Sequence, residues 1–442
     1  MRPSLKFYFL LFVAAGLQFV LMLDIVSSLP MMDNGDYYRV SRGLINIPPM
    51  SAIDTCPEFA YQLKTPASSL GVFVGICTWL AEIFSLRCFN FKIYSLVLYS
   101  IFIFGCFFAV LVEKKNLLAI LVSIAIAIMY SAFFLSFYEE AIVIVSMPWL
   151  IAGLSLIQSK RNSLCFLLAA CCILFAKVQM VILLPFFLYL ITVNFRNKNI
   201  VKQAFIAGFL FLSLSSTASF FAKSGNSVAN AYNRLYNGIG WSVLNVNTWG
   251  KKTFNDRHNY YYFNRTELLL NTQVNLLPPM LSNYLGTSYW PTGSEIFTND
   301  VNLAETKDQI KKTLRPNFYF KTLFEYSVFF RLVKDVYWIT LNSDYSISYL
   351  LQEAEKNRQT TKLKKHIQQY VGLAFYAIIL FGLLRRNWAG KVASLTILLM
   401  PLLVVGGDGF YEFEKHMVPF FMVLSVVFMP FYVSFKAKRE NS

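Results

Sequence analysis

Charge is scarce in this chain. Asp, Glu, Lys and Arg together make up 14% of its 442 residues, against 56% hydrophobic residues. That is too little charge to cover a soluble protein of this length, and a soluble fold is excluded. Also missing are a P-loop, a nucleotide-binding glycine fingerprint, a zinc-protease HExxH and a Ser/His/Asp hydrolase signature. No repeat of fixed period and no low-complexity segment occurs. Alternating barrel strands are not seen either. The seven cysteines suggest no framework: Cys77, Cys106, Cys165, Cys171 and Cys172 lie in apolar runs, Cys56 is alone in its loop, and the polar region after residue 222 has none. No disulfide and no zinc site is expected from them.

What the chain does have is repeated apolar runs of about 20 residues, the length that crosses a hydrocarbon core of ~30 Å. In lipid such runs satisfy their backbone groups as helices. The expected fold class is therefore an all-α polytopic membrane protein of about eight to ten transmembrane helices. The runs fall near 7–26, 70–86, 93–112, 116–135, 141–158, 163–192, 203–222, 367–384, 391–405 and 417–435. Arg2 and Lys6 precede the first, which lacks a small-x-small cleavage site and reads as an uncleaved helix. The expected organisation is an N-terminal transmembrane module over 1–222 with a polar loop 27–68, a soluble mixed or helical domain over 223–366, and C-terminal membrane helices over 367–442 with a loop at 406–416.

The net charge of +16 raises nucleic acid as a partner. The basic residues instead crowd short links at 196–202, 385–391 and 436–439, the pattern of cytoplasmic loops, so the partner implied is the bilayer and no nucleic acid. If all ten runs crossed, Lys114-Lys115 and Lys160-Arg161 would lie outside. Two changes together remove this conflict. The run 70–86 lies on the outer surface without crossing, and 163–192 is a re-entrant hairpin broken at Ala176-Lys177-Val178-Gln179, with halves of about 14 and 15 residues, each short for a crossing. Asp36, Tyr138-Glu139-Glu140, Lys177 and Asp408 then share the external face.

Three groups of residues offer chemistry. Asp33-Asn34-Gly35-Asp36 follows the first helix and can present a general base or cap the next helix. Gly407-Asp408-Gly409 with Glu414-Lys415-His416 joins the last two membrane runs and is either a phosphate-holding site or a solvated loop. Glu139-Glu140 and Lys177-Val178-Gln179 are ionisable or polar groups inside apolar surroundings, functional by default, with a structural Lys177–glutamate ion pair as the competing reading. The aromatic, turn-rich stretches around Trp241 and around Tyr289-Trp290 suit sugar stacking and an interfacial aromatic belt equally well.

Taken in order, Asn34-Gly35-Asp36-Tyr37, Ser68-Ser69-Leu70, Ala176-Lys177-Val178-Gln179, Gly286-Thr287-Ser288-Tyr289-Trp290, Gly407-Asp408-Gly409 and Glu414-Lys415-His416 resemble the polytopic glycosyltransferases of the GT-C superfamily. The nearest groups are bacterial glycan-biosynthesis hexose transferases and O-antigen serotype-converting glucosyltransferases. The resemblance implies inverting transfer of a hexose, with glucose expected, from a polyprenyl-phosphate carrier to an acceptor glycan of the cell surface. It implies a bacterial inner-membrane protein working on its periplasmic face, with Asp36, and Asp33 beside it, as catalytic carboxylates. Lys177, Arg39, Lys415 and His416 would hold the donor phosphate, with Glu139, Glu140, Gln179, Asp408 and Glu414 as further polar site residues. Trp241, Tyr289 and Trp290 would hold the acceptor. An Asp-x-Asp or Asp-Asp pair is lacking, so neither a divalent metal nor another cofactor is expected. The competing function classes are a transporter or flippase and a polymerase of lipid-linked glycan.

Overall fold

In the computed structural model the described residues are 16, 40, 68–86, 88–112, 129–158, 164–194, 199–222, 328–343, 345, 370–384, 388–408 and 413–423. The regular elements among them are all helical. They are α1 (Ser69–Ile83), α2 (Phe91–Val112), a 3-10 turn (Ser131–Leu135), α3 (Glu140–Gln158), α4 (Leu164–Leu174), a second 3-10 turn (Val178–Leu183), α5 (Leu184–Asn194), α6 (Asn199–Ala222), α7 (Val328–Asn342), α8 (Val371–Leu383), α9 (Trp388–Asp408) and α10 (413–423). Stretches of three of them, Phe91–Val112, Glu140–Ile157 and Gly390–Gly407, are long and apolar enough to cross a membrane. The multi-pass membrane class expected from composition is what the helices bear out. Most of the run expected at 7–26, the loop 27–68 apart from Val40 and Ser68, and residues 113–128 of the following region lie outside the described residues.

The apolar run 163–192 breaks where its lysine and glutamine interrupt it. Ala176 N–H donates to Ile173 O (3.2 Å), Lys177 is extended (φ −152°, ψ 148°), and Met180 N–H donates to Lys177 O (2.9 Å) as a 3-10 turn begins. In one straight helix Phe166 and Phe187 would stand about 30 Å apart at 1.5 Å per residue. Their ring centroids are 6.1 Å apart. The chain therefore reverses at Lys177, and α4 and α5 are the two limbs of a hairpin. Both limbs pack on α6, where Phe187 meets Phe209 at 6.1 Å.

Limb α4 lies against α3 at very close range. A Cβ added at Gly153 would come within 2.2 Å of the Phe166 backbone nitrogen. Gly153→Ala is expected to push α3 and α4 apart and lower stability by about 1–3 kcal/mol, the usual effect of overpacking. Thermal unfolding of detergent-solubilised protein would register this, and an unchanged midpoint would contradict the close approach. Because the helices are antiparallel from this contact, the hairpin tip at Lys177 arrives beside Glu140, the first residue of α3.

Helix α2 runs parallel to α3. Phe91 meets Phe137 at 5.0 Å near their starts, and Trp149 Nε1–H donates to Ile101 O (3.1 Å) further along. The start of α2 thus lies at the same end of the bundle as the hairpin tip. So does α1. Its first residue is fixed to the tip, with Ser69 N–H donating to Phe175 O (3.0 Å) and Ser69 Oγ to Cys172 O (2.6 Å), while Ser68 Oγ caps the helix by accepting from Gly71 N (3.2 Å). Its last turn folds back through Ser85, at φ 50° in the left-handed position usually given to glycine, with Leu86 N–H donating to Ala81 O (2.9 Å). From Leu86 to Phe89 the chain can reach no more than roughly 11 Å, and Phe89 packs on Phe137 at 6.2 Å. Both ends of α1 are therefore held at one end of the bundle.

Helix α9 gives the opposite polarity. Gly407 lies beside Gln179 at the hairpin tip, so Trp388 stands about 30 Å away at the other end. At that other end α2, α3, α5 and α8 finish. They adjoin in sequence Lys114-Lys115, Lys160-Arg161, Arg196-Asn197-Lys198 and Arg385-Arg386.

Within the segment 223–366, helix α7 shares the core of the C-terminal helices. Leu332, Val336 and Ile339 recur at helical spacing and are buried. Tyr337 Oη donates to Leu398 O (2.6 Å) midway along α9, and Tyr376 Oη of α8 donates to Tyr337 O.

One expectation is corrected. Cys88, in the short link between α1 and α2, is disulfide-bonded. The other described cysteines, Cys77, Cys106, Cys165, Cys171 and Cys172, carry free thiols, so its partner lies outside the described residues. Apolar helical surroundings account for those five and not for Cys88, which stands at the tip end of the bundle.

Candidate functional site

Glu140 opens α3, where a carboxylate is favoured by the positive end of the helix dipole. Lys177 occupies the extended residue at which the hairpin turns, so its side chain leaves the tip rather than lying along a helix. His416 and Lys415 sit in the first turn of α10. Three distant parts of the sequence thus meet at one end of the bundle.

The Lys177 ammonium lies 2.9 Å from Glu140 Oε1 and 2.9 Å from His416 Nδ1, and His416 Nδ1 is 3.3 Å from the same Glu140 oxygen. An ammonium has protons to donate and nothing to accept with. It therefore donates to Glu140, while His416 Nδ1, within reach of both the ammonium and the carboxylate, accepts from one or donates to the other according to its tautomer. The Lys177 and Glu140 side chains are 6% and 0% exposed, so this is a buried ion pair. Such a pair needs its hydrogen bonds to offset desolvation. Beside it, Lys415 Nζ rests 4.1 Å from the centre of the Tyr138 ring, a cation–π seat for a second buried ammonium. Glu139, Gln179 and Glu414 are buried at the same end. Glu140 Oε2 and Gln179 Oε1 have no hydrogen-bond partner among the described residues.

Glu139, Glu140, Lys177, Gln179, Glu414, Lys415 and His416 are thus brought to one end. The structural ion pair held as the competing reading for Lys177 is present, with Glu140 as partner. Asp408 ends α9 rather than sitting in a loop, and the connection expected over 406–416 narrows to 409–412, outside the described residues. Asp33, Asp36, Arg39, Trp241, Tyr289 and Trp290 also lie outside them. Among the described residues no group of three or more His, Cys, Asp or Glu side chains is placed to hold a metal ion. The seating of Lys415 on Tyr138 went unforeseen. An aromatic residue beside two glutamates gives no sign of which cation it will meet.

Residues 3–247 match the family of the YfdI N-terminal transmembrane domain, more than half of the chain. The chain belongs to this family. The YfdI N-terminal transmembrane domain takes in α1 to α6, with both hairpin limbs, and contributes Glu140, Lys177 and Gln179 to the site. His416 and Lys415 come from beyond it. No curated protein and no solved structure matches the chain.

Proposed function

We propose that the protein is a GT-C-type glycosyltransferase that moves a hexose, glucose in the first instance, from a polyprenyl phosphate to a cell-surface glycan such as O-antigen, with inversion. The observation that carries this reading is the buried meeting of Lys177, His416 and Lys415 with Glu140 at the hairpin tip. Cations of this kind at a membrane protein's end suit the phosphate of a lipid carrier. Positive charge there stabilises the leaving phosphate as the sugar–phosphate bond breaks. The His416 imidazole adds a further polar group, and Arg39 a further cation. Asp36 takes the proton of the acceptor hydroxyl as its oxygen attacks the anomeric carbon from the opposite face, with Asp33 beside it. Trp241, Tyr289 and Trp290 supply stacking surfaces for the acceptor glycan.

Two independent features support a periplasmic site. Helix ends away from the cluster adjoin the basic links, the pattern of cytoplasmic loops. The Cys88 disulfide lies at the cluster end, and disulfides persist in oxidising compartments such as the periplasm. The expected test uses purified protein in proteoliposomes given polyprenyl-phosphate glucose and acceptor glycan. Glucose should pass to the glycan from the lipid donor and not from a nucleotide sugar. Transfer from the nucleotide sugar alone, or none from the lipid, would overturn the reading.

A further inference from the structure

The ion pair at the hairpin tip uses only half of Glu140. Oε1 faces both Lys177 and His416, while Oε2 of the same fully buried carboxylate has no hydrogen-bond partner among the described residues. Two residues beyond Lys177, the Gln179 amide is likewise more than nine-tenths buried with its oxygen unpartnered, flanked by Gly407, where even an added Cβ would stay 3.5 Å from Gln179 Nε2. Buried acceptors of this kind are costly unless something donates to them.

The missing partner is defined by chemistry. Both unpartnered atoms are acceptors, so an unprotonated phosphate, itself an acceptor, cannot satisfy them. Another cation fits poorly where Lys177 and Lys415 already stand. Neutral donors remain, and a hexose carries several hydroxyls next to its anomeric phosphate. We propose that Glu140 Oε2 and the Gln179 amide bind hydroxyls of the transferred sugar, so that the hairpin tip reads the hexose as well as its phosphate. This rests on the proposed transfer reaction and deepens it. Lys177 and His416 hold the lipid phosphate, while Glu140 and Gln179 select for the sugar on it.

The test compares binding of polyprenyl phosphate with that of polyprenyl-phosphate glucose to the full-length protein in nanodiscs. Wild type should bind the glucose-bearing lipid at least about tenfold more tightly, the scale of one well-made hydrogen bond. Gln179→Leu should remove most of that preference while leaving the affinity for bare polyprenyl phosphate unchanged. A series of monodeoxyglucose donors on wild type makes the same test without mutation: at least two positions should lose about tenfold or more. Equal affinity of wild type for the two lipids, an equal loss on both from Gln179→Leu, or indifference to every deoxy position would overturn the sugar-reading role while leaving the transfer reaction standing. Failure of wild type to bind either lipid would overturn both.

Discussion

Replacing Lys177 by methionine is expected to destabilise the protein by about 3–5 kcal/mol, because the variant leaves the Glu140 carboxylate buried without its cation. Methionine matches the length and apolar stem of lysine, so packing at the tip changes little and the loss is electrostatic. The double variant Lys177→Met with Glu140→Gln should recover part of that loss, since the uncompensated charge goes with it. Unfolding of the purified variants in detergent would measure both. If Lys177→Met cost no more than a surface substitution, the 2.9 Å contact with Glu140 would not be the buried ion pair described. If the double variant lost the sum of the two single effects, the two residues would be acting independently.

Asp36→Asn carries the largest expected effect on activity. Asparagine keeps the shape of the side chain and removes its capacity to take a proton. Loss of a positioned general base typically lowers rate by about 10²–10⁴-fold. Hexose transfer from polyprenyl-phosphate glucose should fall by that factor, with folding, and binding of the lipid donor through Lys177 and His416, unchanged. Asp33→Asn should fall much less if Asp33 serves chiefly to cap a turn. Wild-type turnover by a normally folded Asp36→Asn protein would remove Asp36 from the mechanism.

Some of this architecture was legible in the residues and some was not, for physical reasons. The hairpin was legible because Lys177 and Gln179 interrupt an apolar run, and burying such groups in a continuous crossing helix is costly. The place of α1, with both ends at the tip end of the bundle, agrees with the charge bias, which is a long-range constraint that a single helix does not reveal. Which glutamate would meet Lys177 was not legible. Glu139 and Glu140 are adjacent, and only the start of α3 decides which one takes the helical position facing the tip. The arrival of His416 at the same oxygen was equally hidden, since 239 residues separate it from Lys177. Cys88 was not legible because apolar context speaks only for cysteines inside helices, and its pairing depends on how the α1–α2 link folds back. Helix α7 shows a further limit. Its tyrosine and charges read as soluble-domain sequence, yet the Tyr337 hydroxyl donates to a carbonyl in the middle of α9.

On the proposed function, one end of the bundle carries the chemistry and faces away from the cytoplasm, while the basic links face it. Labelling of Lys160→Cys by a membrane-impermeant maleimide, against the unsubstituted protein as background, decides this, because residue 160 lies between α3 and α4 in the sequence. No labelling is predicted in intact cells, with full labelling once the membrane is permeabilised. Labelling at position 160 in intact cells would contradict the hairpin topology and the periplasmic site together.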